Sequence, residues 1–233
     1  EPVPHIAARR ATTRAALDER LRRLAGEAGV RDVLVIGGGL EKPAGDFGGA
    51  MDILDTGLLD RHGIGRIGVA GHPEGSPDFS EAAAQDVLRR KQAYAQRTGA
   101  EMRIVTQFGF NPEKFIAWAE SLRGHGIDLP VHLGVAGPAK ITTLLKYAVM
   151  CGVGESISFL KRNALSVAAL AGSQSPEPIV GPIEKHALST PGSAIAQIHV
   201  FPFGGLKGSA NWLVERGSWK MDRPQYLSAA AAG

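Results

Sequence analysis

The residues of this chain that could do chemistry collect where short apolar runs end. Gly37-Gly38-Gly39 follows the run 32–36, and Gly71-His72-Pro73-Glu74-Gly75-Ser76-Pro77 follows 66–70. Thr106-Gln107-Phe108-Gly109-Phe110-Asn111 closes 102–108, and Gly134-Val135-Ala136-Gly137-Pro138 closes 131–135. His199 lies within the run 196–203, which leads into Gly204-Gly205. Gln107 is the most informative of these, because its amide offers both a donor and an acceptor to a flat heterocycle. The same amide could instead satisfy its own backbone. Phe108, Phe110 and Tyr147 could stack on such a ring, or serve as ordinary core. The glycine triplet could cradle a phosphate, or simply turn the chain. It is not a dinucleotide fingerprint, since the third glycine of G-x-G-x-x-G would fall at Lys42. The chain has no phosphate-loop, H-E-x-x-H or G-x-S-x-G motif, and its seven histidines show no metal-ligand spacing.

Strands must hold these ends. The runs 3–8, 32–36, 66–70, 102–108, 131–135 and 196–203 are mostly continuous and apolar, as strands buried on both faces of a parallel sheet would be. Helices are expected between them. Leu17, Leu21, Leu24 and Ala28 make one stripe, capped by Thr12 or Thr13. Ser80 caps a second helix with Ala83, Val87 and Tyr94 inward, and Asn111-Pro112-Glu113 starts a third with Phe115, Trp118 and Leu122 inward. Ile141, Leu144, Leu145 and Ala148 form another stripe, then Ile157, Leu160, Ala164 and Val167, and a short helix covers 206–214. Residues 173–182 read as a Pro-rich loop and 228–233 as a frayed tail. Such alternation fits either an open doubly wound sheet or a (β/α)8 barrel, and both bind ligands at the carboxyl ends of their strands.

Composition excludes several classes. With 233 residues, 44% apolar and 21% charged, the chain is long enough and apolar enough for a substantial core, and reads as a single domain over 1–233. The lone Cys151 allows neither an intramolecular disulfide nor a cysteine-based zinc site, which fits a reducing, cytoplasmic setting. No run approaches a membrane span or resembles a signal peptide. A net charge of +3, with arginines spread as at Arg14, Arg20, Arg22 and Arg23, reads as solvated helix faces rather than a nucleic-acid footprint. The chain starts at Glu1 rather than Met, which suggests a missing N-terminal segment.

The Gly71–Pro77 segment, followed by Val105-Thr106-Gln107-Phe108-Gly109-Phe110-Asn111, resembles the methylenetetrahydrofolate reductase family, whose usual forms are Y-P-E-x-H-P-E and I-T-Q-F-F-F-D. Pro4-His5, Lys42-Pro43, Gly134 with Thr143 and Tyr147, and His199 extend the resemblance over nearly the whole chain. It implies a (β/α)8 barrel, with its first two strands missing here, that binds FAD at the strand ends. Such an enzyme passes a hydride from NAD(P)H through flavin to 5,10-methylenetetrahydrofolate. Its general acid, a Glu ending strand one, would lie before Glu1.

By the same resemblance, Gln107 matches a glutamine that contacts folate and nicotinamide. Tyr147 matches an aromatic that stacks on substrate, and Thr143 a neighbouring polar contact. His5 matches a flavin-site histidine and Lys91 a lysine near the FAD phosphates, a role that suits a cation. The chain also departs from the pattern. Gly37-Gly38-Gly39 replaces R-G-D, removing a carboxylate beside the flavin. His72 replaces the tyrosine of Y-P-E and Ser76 the histidine after it. The arginine that meets the folate glutamate falls at Gly205, with Lys207 the nearest cation. Tetrahydrofolate and nicotinamide nucleotide are the implied partners, with FAD altered or dispensed with. An exposed sheet edge left by missing strands would favour a homo-oligomer. Two rival readings remain: a folate-binding or partner subunit without catalysis, and an unrelated barrel enzyme acting on a phosphorylated small molecule.

Overall fold

The computed structural model describes residues 1–76, 79–153, 158 and 173–218. Strands β1 (His5–Ala7), β2 (Asp32–Ile36), β3 (Arg66–Gly71), β4 (Glu101–Phe108), β5 (Val131–Ala136) and β8 (Ile195–Phe201) form one parallel sheet in that order. All six expected strands are present, 32–36 at its expected bounds and no other end shifted by more than two residues. A separate two-stranded ribbon, β6 (Ala139–Lys140) with β7 (Ser173–Gln174), has no signal in the sequence pattern.

The helices are α1 (Arg14–Gly26), α2 (Ala50–Leu54), α3 (Leu58–Arg61), α4 (Glu81–Thr98), α5 (Pro112–Ser121), α6 (Ile141–Met150), α7 (Glu177–Ser189) and α8 (Leu206–Glu215). Local chemistry sets their starts. The Thr13, Ser80 and Asn111 side chains accept from the backbone N–H groups of Ala16, Ala83 and Lys114. Inner faces shift slightly from the expected stripes, with Ala25 buried rather than Ala28, and Leu88 and Lys91 joining Tyr94. The Pro-rich segment 173–182 is not a loop: it holds β7 and the first turns of α7. Pro178 lies in the first turn of α7, where its missing N–H is harmless, and Pro182 is accommodated inside. Arg216 beside α8 clamps it to α7 through Glu177 and Glu184 at 2.8–2.9 Å. The stripe 157–167 and the tail lie outside the described residues.

Side chains of the sheet alternate between two environments. Val33, Val35, Ile67, Val69, Ile104, Leu133 and Val135 join one apolar core with Leu21, Leu54, Leu59, Phe115 and Ile183 from the helices. The opposite face carries Asp32, Leu34, Arg103, Val105 and His132, whose register places Leu34, Gly68 and Arg103 in one row and Val105 beside His132. Leu34 and Val105 are buried yet stand outside the helix-side core. Helices therefore cover one face, unlike a doubly wound sheet. Among the described residues β1 and β8 each pair with a single strand, so the sheet is an open arc and the expected closed barrel is not seen.

Candidate functional site

The candidate residues at the carboxyl ends of the strands fall into two groups, one on a cavity wall and one outside it. On the helix side, a cavity of about 680 Å³ lies between the end of β3, α4 and α5. Its wall includes Gly37 after β2, His72 and Glu74 after β3, Lys91 on α4 and Trp118 on α5. Arg9, in a 310 turn after β1, closes it from the side of the glycine triplet. Gly38 has φ +90°, a left-handed conformation that favours glycine, so the triplet acts at least as a turn.

Lys91 is the most unusual group in this cavity. Its side chain is 5% exposed, and Nζ donates to the Ala70 carbonyl at 3.2 Å. Burial alone pushes its amine down to about 8. Arg9 is likewise held by carbonyls, with Nε donating to Gly48 at 2.9 Å and a guanidinium nitrogen to Leu40 at 3.0 Å. Neither cation makes an ion pair among the described residues. Two cations held only by dipoles on a cavity wall can receive an anionic group such as a diphosphate.

Gln107 lies outside this cavity, near the end of β4, where the register to β5 shifts between Val105 and Phe108. Its Oε1 accepts from the Phe108 N–H at 3.1 Å, the local-backbone alternative. Its amide nitrogen makes no hydrogen bond among the described residues. The strand end is pinned from β5: the Gly134 N–H donates to Thr106 Oγ1 at 2.8 Å, and that hydroxyl donates to the Gln107 carbonyl at 2.8 Å. A Cβ at Gly134 would lie 2.6 Å from the Thr106 carbonyl oxygen, so only glycine permits this approach.

On the open face of the sheet, Arg103 pairs with Asp32 at 2.9 Å. Burial, and then Arg103, pushes His132 down to about 4. Burial lowers His199 as well, reinforced by His5 and Arg103.

Phe108 and Phe110 are both buried in the core, and Phe110 lines a second, smaller cavity beside Ala136, Ile141 and Ile179. Tyr147 stacks on Phe203 at 4.1 Å and 17°, and Phe203 continues onto Phe201 at 5.5 Å and 15°.

The structure thus brings His72 and Lys91 to one cavity, beside the glycine triplet. It does not bring Gln107, Thr143, Tyr147, His5 or Lys207 onto that wall, nor Gly38, Gly39 and Ser76. His5 is exposed on edge strand β1, Thr143 is half-buried on α6, and Lys207 is exposed in the first turn of α8. Ser76 bridges to Phe79, whose ring meets His72 edge-on at 5.0 Å. Sequence reasoning missed Arg9, read Trp118 only as helix core, and did not pair Tyr147 with Phe203 and Phe201. Arg9 had a signal, as the first cation beyond the end of β1.

Among the described residues no group of three or more His, Cys, Asp or Glu could hold a metal, and no helix is long and apolar enough to cross a membrane. A family model for methylenetetrahydrofolate reductase matches residues 1–162, which include β1–β5, the cavity and Gln107 but not Lys207 or His199. The chain is 30% identical over 158 residues to a 5,10-methylenetetrahydrofolate reductase of Pectobacterium carotovorum subsp. carotovorum, covering 66% of this chain and 49% of that protein. It is 35% identical over 88 residues to methylenetetrahydrofolate reductase 1 of Schizosaccharomyces pombe, covering 37% of this chain and 14% of that protein. The chain thus spans about half the length of the bacterial relative it matches.

Proposed function

We propose, from the premise that this chain belongs to the methylenetetrahydrofolate reductase family, that it transfers a hydride between NAD(P)H and 5,10-methylenetetrahydrofolate. The observation that carries the reading is the coincidence of the family match with a cation-lined cavity at the strand ends. Reduction breaks the bond from the methylene carbon to N10. N10 takes a proton, the carbon takes the hydride, and the products are 5-methyltetrahydrofolate and NAD(P)⁺.

The chain's residues would act chiefly by positioning. Gln107 would orient the pterin through its amide, with Tyr147 and Thr143 flanking the substrate and Lys207 meeting the folate glutamate. Lys91 and Arg9 suit the diphosphate of FAD, with His5, Gly38, Gly39, His72 and Ser76 near the flavin. FAD, when bound, supplies a two-electron carrier between the two substrates. Gly37–Gly39 offers backbone there but no carboxylate, so the field at the flavin is less negative than in the family pattern.

The one-sided helix layer supports reading the six strands as an arc of a (β/α)8 barrel. The single-domain, cytoplasmic and homo-oligomeric readings rest on composition and on the open sheet edges.

The test is turnover by the purified protein with NADH and methylenetetrahydrofolate, with and without FAD. Loss of NADH matched mole for mole by 5-methyltetrahydrofolate is the expected result. Folate binding without turnover would transfer the reading to a catalytically silent subunit. A flavin spectrum in the active protein would assign FAD, and turnover by a colourless protein would mean direct transfer from nicotinamide.

A further inference from the structure

Lys91 presents a problem that its own fold does not solve. It shares the buried face of α4 with Leu88 and Tyr94, and its ammonium reaches the Ala70 carbonyl near the end of β3. The Ala70 carbonyl supplies a dipole there rather than a counter-charge, and an ammonium taken out of water on those terms is costly. The other charged or titratable groups on the cavity wall are Arg9 from the turn after β1, His72 and Glu74 from the loop after β3, Glu81 heading α4, and Lys114 and His125 on the α5 side. None of them figures among the influences on Lys91, which is shifted by burial alone. Among the described residues, three cations thus share this wall with two carboxylates, and the deepest of the cations has no anion beside it.

We propose that a dinucleotide diphosphate binds in this cavity together with a proton on Lys91, so that ligand affinity is coupled to the protonation of this lysine. The proposal rests on reading the cavity as a dinucleotide site and adds its regulation. An anion placed against Nζ stabilises the charged form, and by linkage the charged form binds the anion more tightly. Below about pH 8 the lysine is already charged, and binding exchanges no proton at this group. Above it, each binding event must first protonate the amine. Affinity then falls by up to about tenfold per pH unit until the bound form also titrates. The same diphosphate chemistry is offered by FAD and by NAD(P)H, so the test carries both.

The experiment is calorimetric titration of the full chain with FAD, and separately with NADH, at about pH 7 and about pH 9. Each pH uses two buffers of different ionisation enthalpy. At the higher pH the binding heat should depend on the buffer by close to one proton taken up, with affinity down about tenfold. Lys91→Arg, whose charge does not titrate in this range, should bind with no buffer dependence and a flat pH profile. Lys91→Met should bind at least about tenfold more weakly at the lower pH and take up no proton. Buffer-independent heat in the parent protein at the higher pH overturns the coupling and leaves the dinucleotide site standing. Proton uptake that survives Lys91→Arg overturns the assignment to Lys91. Failure of both dinucleotides to bind at either pH overturns the reading of the cavity and the proposal with it. Uptake with one dinucleotide alone supports the coupling and names the ligand.

Discussion

In the proposed function two residues carry most of the weight, and they make opposite predictions. Gln107 costs the fold little, since its Oε1 meets only the neighbouring Phe108 N–H. Gln107→Ala should therefore leave the melting temperature nearly unchanged and lower turnover by about 10²-fold or more, because an oriented contact at the reacting rings is lost. Steady-state kinetics beside a thermal melt check both halves, and unchanged kinetics would remove Gln107 from the site. Lys91 is the reverse, a buried charge held at the expense of stability. Its amine is lowered from 10.5 to about 8 in the folded chain, so the unfolded chain binds more protons between those values. Stability of the ligand-free protein should rise with pH through that window, by a total on the order of 3 kcal/mol. Lys91→Met should abolish this rise and stabilise the free protein near pH 7, as denaturant titrations across the window would show. A rise that persists in the methionine variant would assign the titration elsewhere.

At the scale of elements, the carboxylate of Glu120 at the end of α5 is a clasp. It accepts from the Ser193 hydroxyl and the Ala194 N–H ahead of β8, and its Oε1 lies 3.0 Å from Nε2 of His186 on α7. Burial pushes this carboxyl up, but the hydrogen bonds from Ser193, His186 and Ala194 outweigh it and leave it below its usual range. A carboxyl depressed by folding contributes stability that is lost as pH falls through its folded value. Glu120→Ala should cost roughly 1–3 kcal/mol, since it strips partners from three groups at once. Chemical denaturation with the midpoint read at neutral pH checks this. The clasp resembles a catalytic triad in composition only. The serine donates to the carboxylate rather than to the imidazole, so nothing activates its oxygen.

For the whole molecule, the feature that matters is the contrast between the two sheet faces. One is a dry apolar layer under helices. The other carries the Asp32–Arg103 pair with His132 and His199, the histidines held below their ordinary range chiefly by burial. A histidine that resists protonation in the folded chain binds fewer protons there than when unfolded. Stability should therefore fall as pH drops from about 6.5 toward about 4, the interval over which His132 charges only after unfolding. His132→Asn should flatten that part of the stability profile, which thermal melts across the acid range would record.

The sequence by itself determined the parallel strands, the caps at Ser80 and Asn111 with a third at Thr12 or Thr13, and the gathering of glycines and polar residues at one end of the sheet. These are local properties, set by side-chain alternation and by which residues can accept from a free N–H. The family was legible too, in the Pro-Glu and Thr-Gln-Phe segments. The α7 helix was not, because two prolines read as a loop unless one notices that the first occupies a position where its missing N–H does no harm. Only the tertiary structure decided how the candidate residues divide. His72 and Lys91 share a cavity with Trp118 and the overlooked Arg9, while Gln107 lies outside it. That division depends on which way each strand turns its alternate residues and on how α4 and α5 sit over the end of β3. Both are set by packing between segments far apart in the chain, and no window of sequence contains them.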